Sequence, residues 1–236
     1  MNRWSEIERR LREILSLGRP PVAVSFPEIP PEGVAPFSGN APSTCTFWRL
    51  AGDGRVFYTT PADHYNCPIG AYTQNIALPA GRAAEFDRTL GLMVDVGYMR
   101  MEEVPGILRL PAAPKVIVFA PLGRTPVDPD VVLLGCRPDK LMLLQEAALR
   151  AQVRFAAPLL GRPSCMAIPA TLPGGITFST GCIGNRVYTD LPEGEMYAFV
   201  AGAELPRIAE TLTAIRVANV KLAAYHQERR REMASP

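Results

Sequence analysis

No two cysteines of this chain are separated by just two residues, so the Cys-x-x-Cys pair that usually marks zinc ribbons and iron–sulfur ligation is missing. The Gly-x-x-x-x-Gly-Lys-Ser/Thr phosphate loop and the Gly-x-Gly-x-x-Gly dinucleotide fingerprint are missing too. Histidine is scarce, with His64 and His226 only. No window offers the roughly 18 uncharged apolar residues of a membrane span. The N-terminal stretch mixes charge with Ile7, Leu11, Ile14 and Leu15, unlike the unbroken apolar core of an export signal. Charge of one sign is lacking as well: 25 Lys and Arg face 23 Asp and Glu, a net +2. That balance gives no electrostatic reason to expect nucleic acid or an anionic membrane as partner. The one basic run, Arg229 to Arg231, is flanked by Glu228 and Glu232 and reads as a solvated helix end. Five cysteines, an odd number without an export signal, argue against a secreted disulfide framework. A cytoplasmic protein with reduced thiols is expected.

What is present suffices for a real core, since 47% of the 236 residues are hydrophobic. At roughly 150 residues per domain the length allows one or two domains; we expect one, over residues 1–236. Helices are predicted over residues 5–17, 80–93, 140–152 and 204–232. Short strands are predicted over residues 22–26, 107–110, 115–120, 131–134 and 196–200. Residues 45–50 and 55–60, on either side of the Gly52–Gly54 turn, read as a β-hairpin, and so do residues 165–171 and 176–180 around Pro173, Gly174 and Gly175. Mixed strands and helices with hairpins favour an α/β or α+β fold. On the C-terminal helix, Leu212, Ile215 and Leu222 form a candidate seam for a homodimer.

The two hairpins share an order of residues. Cys45, Gly54, Thr60, Cys67 and Gly70 match Cys165, Gly175, Thr180, Cys182 and Gly184; Tyr72-Thr73 and Leu78-Pro79 echo Tyr188-Thr189 and Leu191-Pro192. The pattern implies an internal duplication, approximately residues 20–100 and 114–216. Two diverged hairpin-plus-helix units then pack about a pseudo-twofold axis in one compact body. Each hairpin gathers its two cysteines at the open end, and convergence of those ends places Cys45, Cys67, Cys165 and Cys182 around one site.

Four thiolates are soft ligands suited to an iron–sulfur cluster or zinc. A second reading is a thiol-dependent enzyme, with Cys67 as nucleophile and His64 as its base, the ring oriented by Asp63 or Asn66. A third is a non-catalytic module for a small anion or other small molecule, in which the turn from Gly181 through Cys182 and Gly184 to Arg186 offers backbone N–H groups and a guanidinium. Cys136 ends an apolar strand and reads as core.

The segments Asp63 to Gly70 and Ser179 to Arg186, with Asp130 to Leu133 between them, resemble the prokaryotic family known as domain of unknown function 169. The resemblance runs from the first helix to about Arg216. It implies a bacterial or archaeal cytoplasmic protein, points to Cys67, Cys182, Gly184 and Arg186, and brings no catalytic assignment.

Overall fold

The computed structural model describes residues 2–234. The chain forms one six-stranded, wholly antiparallel sheet between two layers of helices. In chain order the elements are α1 (Arg3–Leu15), β1 (Val22–Ser25), α2 (Thr44–Gly52), β2 (Phe57–Thr59), α3 (Pro68–Thr73), α4 (Ala84–Asp95), β3 (Ile117–Pro121) and β4 (Val131–Cys136). They continue with α5 (Pro138–Arg150), α6 (Ala167–Thr171), β5 (Ile176–Ser179), α7 (Ile183–Thr189), β6 (Met196–Ala201) and α8 (Leu205–Ala234). This is an α+β fold. No helix among the described residues is long and apolar enough to cross a membrane.

Strand alternation decides what each layer covers. Val132, Leu134 and Cys136 of β4 turn toward α1, α5 and α8, whereas Val131 and Leu133 turn toward α2 and α6. The middle strands are therefore buried on both faces, which is why they read as continuous apolar runs. On the first face Ile7, Leu11, Ile14 and Leu15 of α1 meet Leu144, Ala147 and Leu212. On the second, Phe47, Phe57 and Phe119 pack ring against ring, and Trp48 stands edge-on to Tyr197 and Phe199. Each such side chain contributes about 1.5–3 kcal/mol by leaving water. The aromatic residues of the predicted hairpins thus serve mainly as packing.

The strand order β2-β3-β1-β4-β6-β5 reads the same from either edge when β1, β2 and β3 are exchanged for β4, β5 and β6. Both outer strands are short, and each is covered by an extended segment: Phe37 N–H donates to Tyr58 O beside β2, and Leu160 N–H donates to Phe178 O beside β5. Such cover leaves little open edge for another chain to pair with.

The predicted hairpins are corrected. Residues 45–50 lie in α2, and residues 165–171 form a tight 3-10 turn, Ser164–Met166, followed by α6. Each unit is helix, glycine turn, edge strand. The β-branched and aromatic residues of the 45–50 segment suggested a strand. Its apolar residues Phe47, Trp48 and Ala51 instead recur at helical spacing and bury one face. Residues 107–110 form no strand. Residues 80–93 resolve into a 3-10 turn, Ala80–Arg82, and α4. Helix α1 is capped by Asn2, whose Oδ1 accepts the Ser5 N–H at 2.8 Å. Of the predicted dimer seam, Leu212 lies in the core and Ile215 packs against it, while Leu222 is 58% exposed.

The turn into β5 depends on Gly175. Its φ is +101°, and a Cβ there would stand 2.6 Å from the Arg154 carbonyl oxygen, which itself accepts the Ile176 N–H. Gly175→Ala is expected to destabilise the fold by about 2–3 kcal/mol, read as a lower urea midpoint at unchanged slope.

Candidate functional site

The four site cysteines lie at the starts of four helical segments. Cys45 is the second residue of α2, and Cys165 sits in the 3-10 turn that enters α6. Cys67 and Cys182 are the N-cap residues of α3 and α7, and each uses its sulfur as the cap: Cys67 Sγ accepts the Gly70 N–H at 3.3 Å, and Cys182 Sγ accepts the Asn185 N–H at 3.4 Å. The halves interlock here, because α2 packs on α7 and the Ser164–Met166 turn packs on α3. All four cysteines line one cavity of about 390 Å³.

The thiols also sense one another. Ionisation of Cys67, Cys165 or Cys182 raises the pKa of Cys45; that of Cys67 or Cys182 raises Cys165; that of Cys182 raises Cys67. All six pairings of the four sulfurs are therefore within electrostatic reach. Burial is the larger cause and pushes the Cys45, Cys67 and Cys165 thiols up, so they are protonated at neutral pH. Opposing this, the Gly70 N–H and Thr44 face Cys67, while Asn185 lies toward Cys45 and Thr73 toward Cys165, the Thr73 hydroxyl itself donating to Gly70 O at 2.9 Å. Two of these cross between halves. Cys45 of the first half meets Asn185 of the second, and Cys165 of the second meets Thr73 of the first. Among the described residues, no group of three or more His, Cys, Asp or Glu side chains is arranged to hold a metal ion.

Gly70 sets the closeness of this packing. A Cβ on it would lie 2.3 Å from Thr44 Oγ1 and 2.9 Å from Cys67 Sγ. Asn185, not the Gly184 matched to Gly70 by residue order, lies three residues after Cys182 as Gly70 does after Cys67, so a carboxamide stands where the first segment presents bare backbone.

The second wall of the cavity comes from the stretch between α3 and β3. Leu90 and Met93 of α4, with Tyr98, Met99 and Ile107 beyond it, face the thiols. Leu90, Met99 and Ile107 form a small core of their own. At the rim, Arg162 of the second half donates to Glu103 and lies over the Tyr98 ring.

His64 is near Cys67 in sequence and is not its partner. The ring is 1% exposed; Nδ1 shares a hydrogen bond with Thr44 Oγ1 at 3.2 Å and Nε2 with Thr59 Oγ1 at 2.9 Å. Burial pulls its pKa down to about 3, so the ring is neutral. It positions Thr44, whose hydroxyl faces Cys67. Asp63 caps Thr60, and Asn66 bonds Asn40, so neither orients the imidazole. Arg186 is also reassigned: its guanidinium donates to the carbonyls of Thr180, Pro192 and Glu195, closing the turn before β6 without lining the cavity. Gly184 does line it. Cys136 lies in the core on the other face of the sheet, its thiol pushed up to about 12, chiefly by burial.

Sequence reasoning missed Thr44, Thr73, Asn185 and the wall of α4. The signal for Asn185 was its place three residues after Cys182, where an N-cap side chain meets its backbone partner.

His64 makes stability depend on pH. Its pKa is near 6.5 unfolded and about 3 folded, so the unfolded chain takes up a proton first as pH falls. The stabilisation is whole above pH 6.5 and is lost on descent toward pH 3. Between pH 6.5 and 4.5 this group alone removes about 2 kcal/mol, and His64→Gln should flatten that limb in urea unfolding series.

No curated protein and no solved structure matches the chain. A family described as uncharacterised ArCR matches residues 10–211, nearly the whole chain. The protein belongs to that family, DUF169.

Proposed function

We propose that the junction of the two halves holds a soft metal centre ligated by Cys45, Cys67, Cys165 and Cys182, and that an iron–sulfur cluster suits it better than a single zinc ion. The observation that carries this is that Cys45, Cys67, Cys165 and Cys182 all line one cavity of about 390 Å³. A bare assembly of clustered thiols is either protonated or strongly repulsive. A bound cation removes both problems, because metal binding displaces the protons and supplies the missing positive charge. Donors facing the sulfurs are what a thiolate state uses, since hydrogen bonds to an ionised acceptor are the strong ones. Choice between the two centres follows from spacing. One tetrahedral ion needs its sulfurs gathered at about 2.3 Å from a common point. A cubane holds each thiolate at a separate corner, so its ligands are wider apart, which suits four thiols spread around one cavity.

Tyr98, Leu90, Met93, Met99 and Ile107 give the centre an apolar cover that keeps water away. The same cover is compatible with a small-molecule ligand, which remains a partner class we propose beside the metal.

Anaerobic incubation with ferrous iron and sulfide tests the reading. The expected product is a brown protein with iron and sulfide in equal amounts. Cys67→Ser and Cys182→Ser are each expected to retain iron at least about tenfold more weakly, while Cys136→Ala retains it fully. Uptake of one zinc per chain without iron selects the single ion, and uptake of neither overturns the proposal.

A further inference from the structure

A second cavity, of about 310 Å³, lies between α2, the end of α7 and the sheet, and no cysteine lines it. Its floor includes Leu133 and Gly135 of β4. Gly135 pairs directly with Tyr197 of β6, and strand alternation puts its missing side chain on the same face as Val131 and Leu133. A Cβ there would stand 3.3 Å from Glu195 Oε2 and 3.4 Å from Leu191 Cδ1, both of which belong to residues of the cavity wall. A glycine inside a strand often marks a place that something approaches closely. Trp48 of α2 also lines the cavity; it is 2% exposed, and its Nε1–H has no acceptor among the described residues. The next residue, Arg49, lines it too, and its Nε–H is equally shielded from solvent and equally without an acceptor, although Nη1 donates to Asp190 at 2.9 Å. Buried donors without acceptors are costly. One or two waters satisfy two N–H groups, and a water fills only about 30 Å³, so the space is far larger than that need.

Charge at the cavity narrows the ligand. Arg19 and Arg49 are already paired, with Asp53 and Asp190. The half-buried Glu195 lines the cavity and has no ion-pair partner among the described residues. Three carboxylates thus stand against two guanidinium groups, which disfavours a lone anion. A ligand that brings an oxyanion to the two N–H donors and a cation to Glu195 meets every unmatched group. We infer that this cavity binds a free α-amino acid with an apolar side chain. Its carboxylate accepts from Trp48 Nε1 and Arg49 Nε, its ammonium pairs with Glu195, and its side chain fills the space over Gly135. A carboxylate has lone pairs enough for both donors, and a charged acceptor makes the stronger hydrogen bond. The inference is independent of the thiol site and of any metal there.

The probes are L-leucine and L-phenylalanine, each beside its amide, which lacks the carboxylate, and its N-acetyl derivative, which lacks the ammonium. Binding to the full chain is read by calorimetry. At least one of the two free amino acids is expected to bind once per chain, with its amide and its N-acetyl derivative at least about tenfold weaker. Trp48→Phe keeps a ring and drops the N–H, and Glu195→Gln drops the charge; each is expected to weaken binding at least about tenfold. Gly135→Leu, which fills the floor, is expected to abolish it. No binding of either amino acid at millimolar concentration overturns the inference. Derivatives that bind as tightly as the free amino acid overturn it as well, and so does undiminished binding to a folded Gly135→Leu or Trp48→Phe protein. Should those two variants fail to fold, Glu195→Gln decides, since its side chain has no partner to lose: weaker binding supports the site, and equal binding overturns it.

Discussion

Four thiols lining one cavity, Cys45 and Cys165 buried and Cys67 and Cys182 half-buried, constrain everything built around them. None can ionise without raising the next, and burial raises three of them independently. The fold nevertheless brings them together with some care: two sulfurs serve as helix caps, and a side chain that crosses from the opposite half faces each of the other two. Gly70 is the tightest point of this arrangement, because any side chain there strikes Thr44, and Thr44 is the residue that stands between His64 and Cys67. The sheet and both its layers act as the frame that holds α2 on α7 and α3 on the Ser164–Met166 turn.

Much of this frame was legible. The strands over 115–120, 131–134 and 196–200 are buried on both faces, so continuous runs of Val, Ile, Leu and Phe marked them without help from context. The hairpins were misread because a nine-residue helix and a strand of similar length differ only in period, and Thr44, Thr46, Phe47 and Trp48 are residues that strands favour. Tertiary burial of Phe47, Trp48 and Ala51 against the sheet settled the period in favour of helix. The glycine turns were placed correctly, although they join helix to strand.

The site was legible in its sulfurs and obscure in its surroundings. Order alone aligned Cys45 and Cys67 with Cys165 and Cys182, and the fold sets all four around one cavity. His64 and Arg186 were chosen because a histidine near a cysteine and an arginine near a glycine turn are chemically suggestive. Contacts that sequence does not encode locally gave them other work: Thr59 lies on an edge strand, and the carbonyls of Pro192 and Glu195 lie on the approach to β6. Thr44 and Thr73 were overlooked because a threonine donor to sulfur has no spacing signature; it exists only once the halves meet.

The two halves are alike in strand order and unlike in what they add. The order is unchanged when β1–β3 and β4–β6 trade places, and both outer strands are covered in the same way. After Leu191 and Pro192 the second half turns at once into β6, whereas after Leu78 and Pro79 the first half adds α4 and its small core before reaching β3. That added stretch is the wall that faces the thiols. One side of the cavity is closed by that apolar segment, and the other carries Asn185 and the Arg162 rim. The four sulfurs meet in one cavity, and the unequal surroundings give it a direction: a face covered by the apolar segment and a rim that carries Arg162.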